Sequence, residues 1–289
     1  MSERADWMRE QKMYKAVTYG NFELNLPEFN WGVSVSVDCF NFEDKQPYRV
    51  FWGTEPREIV DNQEKLIRNH EFYDLILTWD QEVLSRCANA KLFPMASVWA
   101  KEPDTSQKKF EVSFITSSKN SCYGHNYRLD VYNYLPATIP CHQNKKWTVP
   151  LPVTKYKSPP YLATKHSLLV PFQYTITMEN AQHNNYFSEK LLDAFATKTL
   201  PIYWGCPNIG EFFNKDGILH FDSMKELVEI IHGLTPELYA QKQAVIEENY
   251  QKALSYIDRT GNVAKAIIES WTPKISTTHS GAPNVPPAS

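Results

Sequence analysis

Most of the side chains able to do chemistry fall in a few short stretches. Glu179-Asn180 follows the apolar run 172–178, then comes Tyr186, and Glu189-Lys190 opens the amphipathic segment Leu191-Leu192-Asp193-Ala194-Phe195. A lysine at a helix start places charge where free backbone N–H groups already attract anions. Its neighbour Glu189 can accept bonds from two vicinal hydroxyls, as a ribose offers, or simply complement the helix dipole. Asn180 suits donation to a phosphate or sugar oxygen, or the capping of a turn. Tyr186 can stack, hydrogen-bond or fill a core.

Two partners lie elsewhere in the chain. Arg128, in Asn126-Tyr127-Arg128, can grip a phosphate with two prongs or sit on a solvated helix face near Asp130. Glu55, in Trp52-Gly53-Thr54-Glu55-Pro56, stands at the end of a strand-like run, where a carboxylate can act as general base toward a hydroxyl. Glu58 is the competing candidate for that role. The chain has no Gly-x-Gly-x-x-Gly, P-loop, Gly-x-Ser-x-Gly or His-Glu-x-x-His motif, and no Asp-x-Asp pair to hold a metal against a diphosphate. Any diphosphate bound here therefore has to be neutralised by side chains and backbone, without a metal or other cofactor.

These residues need a framework, and the pattern of the chain supplies one. Val33-Ser34-Val35-Ser36-Val37 alternates with period two and predicts a half-buried strand. Residues 48–53 and 73–79 predict strands, the latter buried on both faces, with helices over 58–70 and near 80–90. The polar stretch 101–109 reads as a boundary. Beyond it, strand 110–116, helix 125–135 carrying Arg128, strand 172–178 and strand 217–221 form a second series, with helices over 223–233, 236–257 and 262–271. Residues 136–165, rich in Pro, Lys and Thr, predict a long loop. Strands alternating with helices imply α/β architecture: two Rossmann-like domains, 1–105 and 106–272, facing across a cleft, followed by a disordered tail, 273–289.

Composition narrows the function classes. A net charge of −3, from 30 basic and 33 acidic residues mixed along 289, leaves no electrostatic footprint for nucleic acid or an anionic membrane. The five cysteines show no Cys-x-x-Cys spacing, which argues against a disulfide framework or zinc site and suits a reducing compartment. No run approaches the ~18–20 apolar residues that span a bilayer. The expectation is a soluble, cytoplasmic protein.

Taken together, Glu179-Asn180, Tyr186-Phe187-Ser188-Glu189-Lys190 and Pro201-Ile202-Tyr203-Trp204-Gly205 with Pro207-Asn208 resemble the C-terminal motif of the α-1,3/1,4-fucosyltransferases, glycosyltransferase family ten. Arg128 matches the family's arginine, and Trp52–Pro56 its acidic N-terminal loop. The likeness is strong over 110–222, weaker over 48–80 and absent in the tail. It implies a GT-B fold with an acceptor domain first and a GDP-fucose domain second, and inverting transfer of fucose to a glycan hydroxyl, an α-1,3 linkage to a GlcNAc or Glc unit. It further implies that Glu55 is the base, that Arg128 and Lys190 hold the phosphates, that Glu189 holds the ribose, and that Asn180 and Tyr186 complete the donor site. Ser188 replaces a threonine frequent in the family but keeps its hydroxyl, and the loop 117–122 matches only loosely. Without the membrane anchor of Golgi members, the resemblance points to a microbial or viral source. The alternatives are a family-ten-like transferase using another nucleotide sugar, and a glycan- or nucleotide-binding module without catalysis.

Overall fold

The computed structural model describes residues 17–20, 24, 26, 29, 32–100, 108–135, 153–157 and 162–271. Two five-stranded sheets, each wholly parallel, account for its framework. The first contains β1 (Val17–Gly20), β2 (Val33–Val37), β3 (Tyr48–Trp52), β4 (Leu75–Thr78) and β5 (Ala90–Leu92), in that spatial order. Helices α1 (Gln63–Arg68) and α2 (Gln81–Arg86) connect its later strands.

The second sheet is built from β6 (Lys109–Thr116), β7 (Val153–Lys157), β8 (Phe172–Met178), β9 (Leu200–Trp204) and β10 (Leu219–His220), in the order β10-β9-β8-β6-β7. The strand order reverses between β6 and β8. In an open parallel sheet, the crevice at that reversal is where ligands bind. Helices α3 (Tyr123–Tyr134) and α4 (Leu162–Ser167) precede β8, and α5 (Glu189–Ala196) follows it. The chain then adds α6 (Met224–Gly233), α7 (Pro236–Gln241), α8 (Gln243–Leu254) and α9 (Arg259–Ser270).

Several expectations are corrected by tertiary context. All five residues of β2 are buried, not alternate ones, because β2 lies between β1 and β3 and its serines, Ser34 and Ser36, also face covered ground. The predicted loop 136–165 contains β7 and most of α4, while residues 136–152 lie outside the described residues, as does the predicted tail. The predicted helix 58–70 shortens to α1 plus a 3₁₀ turn, His70–Phe72. The pattern over 236–257 is two helices meeting at Lys242, the first capped by the Thr235 side chain and the second starting at Lys242 without a side-chain cap.

One packing relation ties the ends of the chain together. Val263, Ala264 and Ile267 of α9 join the core built on Val33, Val35, Val50 and Leu77 of the first sheet. The last helix thus belongs by packing to the first sheet, although it follows the second in the chain. The cores of the second unit are separate. Val112, Phe114, Ile176 and Ile202 meet Leu227 and Ile231 of α6 on one side, and Leu191, Leu192 and Phe195 of α5 pack with Tyr203 and Phe213 on another.

Where α3 crosses the end of β8 there is no room for a side chain. A Cβ on Gly124 would lie 2.2 Å from the carbonyl oxygen of Asn180 and 2.7 Å from that of Glu179, both backbone atoms. Gly124→Ala should therefore destabilise the protein by about 1–3 kcal/mol, the cost of overpacking a close contact, seen as a lowered urea midpoint.

Candidate active site

A cavity of about 450 Å³ opens at the carboxyl ends of β6 and β8, at the reversal of strand order. The six residues singled out by the sequence, Glu55, Arg128, Asn180, Tyr186, Glu189 and Lys190, all line it. Glu58 does not; its carboxylate pairs with Nε2 of His183 at 2.9 Å on the surface.

The wall contributed by α5 is set by its N-terminus. Ser188 caps the helix, accepting from the Lys190 amide, and its hydroxyl donates to Oε2 of Glu179 at 2.6 Å. The Ser188 amide donates to the other oxygen of Glu179 at 3.0 Å. Lys190 Nζ reaches Ser188 Oγ at 3.0 Å and Glu189 Oε1 at 3.3 Å. Two cations therefore flank Glu189, because Lys165 Nζ of α4 stands 3.7 Å from the same oxygen. Burial opposes ionisation of Glu189, but Lys190 and Lys165 outweigh it and hold its carboxyl down at about 2.

Arg128 comes in from α3, buried beneath the cavity. Its Nη2 donates to the Glu179 carbonyl at 3.1 Å and to Asn180 Oδ1 at 2.9 Å, while its buried Nε has no hydrogen-bond partner among the described residues. A buried guanidinium with an unused donor on a cavity wall is prepared to receive an anion. One turn earlier, His125 is bonded to Ser121 Oγ at 3.0 Å. Burial, then Arg128, Lys119 and Lys190, push its imidazole down to about 4, so near neutrality it is an uncharged polar group.

The opposite wall comes from the first unit. Glu55 is driven above the ordinary carboxylate range chiefly by burial, against the pull of Lys190. Trp79 packs its ring against Tyr186 at 4.9 Å, and with Ala181 and Met95 closes the seam between units. Asn185 Nδ2 donates to the Trp79 carbonyl across that seam at 3.3 Å. Burial pushes the Tyr186 hydroxyl well above its usual value, so it is a neutral donor.

Sequence reasoning missed Lys165, which fell inside the predicted loop, and Asp193. Asp193 is fully buried; its Oδ2 meets Lys165 Nζ at 2.6 Å, and its Oδ1 accepts from the amides of Trp99 at 2.7 Å and Ala100 at 2.9 Å. The signal was present as a lone acidic residue in the apolar run of α5. Burial opposes a charge on Lys165, but Glu189 and Asp193 raise its ammonium above the usual value. Among the described residues no group of three or more His, Cys, Asp or Glu is arranged to hold a metal, and no helix is long and apolar enough to cross a membrane.

Residues 105–244 match the family described as glycosyltransferase family 10 (fucosyltransferase) C-term. This stretch is a member of glycosyltransferase family 10. The chain is 30% identical over 94 residues to the α-(1,3)-fucosyltransferase FucT of Helicobacter pylori, a match covering 32% of this chain and 20% of that protein's length. In structure it is similar to an α1,3-fucosyltransferase crystal structure, with TM-score 0.50 and 14% identity over 85% of this chain and 89% of the other. It is also similar to the α,α-trehalose 6-phosphate synthase of Burkholderia multivorans, with TM-score 0.51 and 9% identity over 82% and 71%. The fold is thus GT-B, two Rossmann-like units with the cavity between them.

The two depressed groups of the site make stability depend on pH in separate windows. His125 takes up a proton near 6.5 when unfolded but only near 4 when folded, so stability falls as pH drops from about 6.5 to about 4. Glu189, depressed from 4.5 to about 2, contributes stability above 4.5 that is lost as pH falls toward 2. Melting temperatures of a His125→Asn variant should lose the upper window and keep the lower one. A pH profile identical to wild type between 6.5 and 4 would remove His125 from the account.

Proposed function

We propose that the protein is an inverting fucosyltransferase, moving fucose from GDP-fucose to a hydroxyl of a glycan acceptor with formation of an α-1,3 linkage to a GlcNAc or Glc unit. The observation that carries the reading is a cavity in which Arg128, with its free buried Nε, and Lys190 stand on one wall while Glu55 stands on the other. The family match and the name of the Helicobacter relative favour fucose as the transferred sugar.

In this reading the second unit holds the donor and the first the acceptor. Arg128 and Lys190 receive the diphosphate; Glu189, kept ionised by its two lysines, accepts from the vicinal ribose hydroxyls; Asn180 and Tyr186 complete the donor site. Glu55 takes the proton of the acceptor hydroxyl. The oxygen thereby freed attacks the anomeric carbon as the bond to the diphosphate breaks, and its electron pair leaves with GDP. Arg128 and Lys190, on the wall that receives the diphosphate, stabilise the charge developing on its leaving oxygen without reorganising. No metal is required, since side chains supply the positive charge.

Release of GDP from GDP-fucose, measured with and without candidate acceptors beside calorimetric GDP binding, tests the proposal. Failure of both GDP and GDP-fucose to bind at millimolar concentration would overturn it, and tighter binding of GDP-mannose or a UDP-sugar would change the donor. Lys190→Ala should weaken GDP binding by about 1.5–3 kcal/mol, the range for bonds to charged groups. Glu55→Gln should lower turnover by roughly 10²–10⁴-fold, as loss of a general base does, with GDP affinity kept. A protein that binds GDP yet has no turnover for Glu55→Gln to remove is a binding module.

A further inference from the structure

Glu55 is held in place from behind by a residue the proposed chemistry does not use. Asp38 follows β2 with φ of +52°, in the left-handed region where Asp and Asn are the side-chain-bearing residues most at home. That turn aims its carboxylate at the end of β3 instead of continuing the strand. Oδ1 accepts from the Thr54 amide at 2.7 Å, Oδ2 accepts from the Glu55 amide at 3.2 Å, and Oδ2 also accepts from the Thr54 hydroxyl.

Asp38 is itself fixed at both backbone atoms. Its amide donates to the Trp52 carbonyl at 3.0 Å, and its carbonyl accepts from Asn62 Nδ2 at 2.6 Å. Thr54 is fully buried, and its carbonyl accepts from the Trp79 indole at 3.2 Å, the ring that packs on Tyr186. The backbone on the N-terminal side of Glu55 therefore has no freedom, and the side chain emerges from a cradle whose other end reaches the donor wall.

We propose that Asp38 is the positioning residue for Glu55: it fixes the 54–55 loop so that the Glu55 side chain faces the cavity with the Asp38 carboxylate bound to its backbone amide. The proposal rests on the reading of Glu55 as the base. When the acceptor O–H bond breaks, the proton passes to Glu55 and the electron pair stays on the attacking oxygen. Glu55 thereby changes from anion to neutral, a change that an ionised Asp38 favours; burial raises the Asp38 carboxyl itself, while its bonds from Thr54 and the Glu55 amide favour its charged form.

The other charges around Glu55 decide the size of the effect. Lys190 and Lys119 oppose it, and Glu189 acts with Asp38. Tyr186 faces Glu55 as a neutral group, and Asp80, in the hollow behind, is neutralised by Arg57 at 2.8 Å. Burial is the first cause of the raised Glu55 carboxyl, so Asp38 tunes an effect that desolvation begins.

The titration of Glu55 can be followed directly by carbon NMR of the labelled carboxyl, assigned through Glu55→Gln, in the absence of any substrate. In Asp38→Asn, which keeps the shape and removes the charge, the Glu55 midpoint should fall by roughly 1 unit, the size of one nearby charge. The acid limb of the kcat/KM profile should move by the same amount, and kcat/KM at pH 7 should drop roughly 3–10-fold, as Brønsted behaviour requires of a weaker base, with GDP affinity unchanged. Thr54→Val keeps both amide bonds but strips the hydroxyl donor that favours ionised Asp38, so Asp38 gives up its charge more readily and the Glu55 midpoint should fall, as in Asp38→Asn; this variant carries the test if Asp38→Asn does not fold. Equal Glu55 midpoints in wild type and variants overturn the proposal whether or not turnover is seen. Shifted midpoints in a protein that releases no GDP from GDP-fucose overturn the transferase reading and leave the coupling of the two carboxylates standing.

Discussion

The geometry of the cavity depends on one buried carboxylate, Glu179, at the end of β8. It is fully inaccessible to water, so its charge is tolerable only if hydrogen-bond donors meet it. Ser188 provides two, amide and hydroxyl, at 3.0 and 2.6 Å, and Lys190 stands 3.7 Å away. The same residue uses its backbone as well: its amide donates to the Trp204 carbonyl at 2.9 Å, and its carbonyl accepts from Arg128. A single position thus fixes the register of α5 against β8 and anchors both cations proposed for the diphosphate. The close approaches that allow this use glycines: a Cβ on Gly205 would stand 2.6 Å from Glu179 Cγ, just as Gly124 leaves space for the backbone of 179–180.

From that anchor the site divides by charge. The second unit supplies Arg128, Lys165 and Lys190; the first supplies Glu55. The seam between them is apolar where Trp79 meets Tyr186 and polar where Asn185 reaches the Trp79 carbonyl. Asp193 extends the arrangement to the connection between units, since the amides it holds belong to Trp99 and Ala100. The helix carrying Glu189 and Lys190 is therefore tied directly to Trp99 and Ala100, which follow the first sheet, and α9 returns to pack on that sheet. Ligand contact and unit orientation share the same helix.

What could be read in the sequence, and what could not, follows from how far each contact reaches along the chain. Parallel α/β architecture was legible because central strands such as β8 are near-continuous apolar runs, and helices such as α6 begin with a Ser223/Glu226 capping box. Among the cavity-lining residues, Glu55, Asn180, Glu189 and Lys190 could be singled out because they lie just past a strand or at a helix start, where open α/β sheets present ligand groups, whereas Arg128, inside α3, and Tyr186, in the loop before α5, rested on side-chain type and the family resemblance. Asp38 was not, since its importance comes from a left-handed backbone and from amides 16 and 17 residues away. Lys165 was hidden by a Pro- and Lys-rich composition that reads as loop, and the burial of Ser34 and Ser36 by a pattern that reads as half-exposed. Period and propensity are local; burial on the second face of a sheet is not.

The charge arrangement around α5 also bears on how tightly a diphosphate can be held. Arg128, Lys165 and Lys190 are matched by Glu179, Glu189 and Asp193, so the six groups formally cancel before any ligand arrives. An anion entering the cavity gains a free donor at Arg128 Nε and the ends of Lys190, but it does not meet an uncompensated positive field. In the proposed reading, placement more than net charge does the binding: Arg128, Lys165 and Lys190 line the cavity while Glu179 and Asp193 are fully buried. Under the proposed reaction, such a site would favour charge that develops at one defined place, on the oxygen leaving with the diphosphate, over indiscriminate attraction for anions. In the proposed reading it would also ease release of the product, because no large excess of positive charge has to be abandoned when it goes.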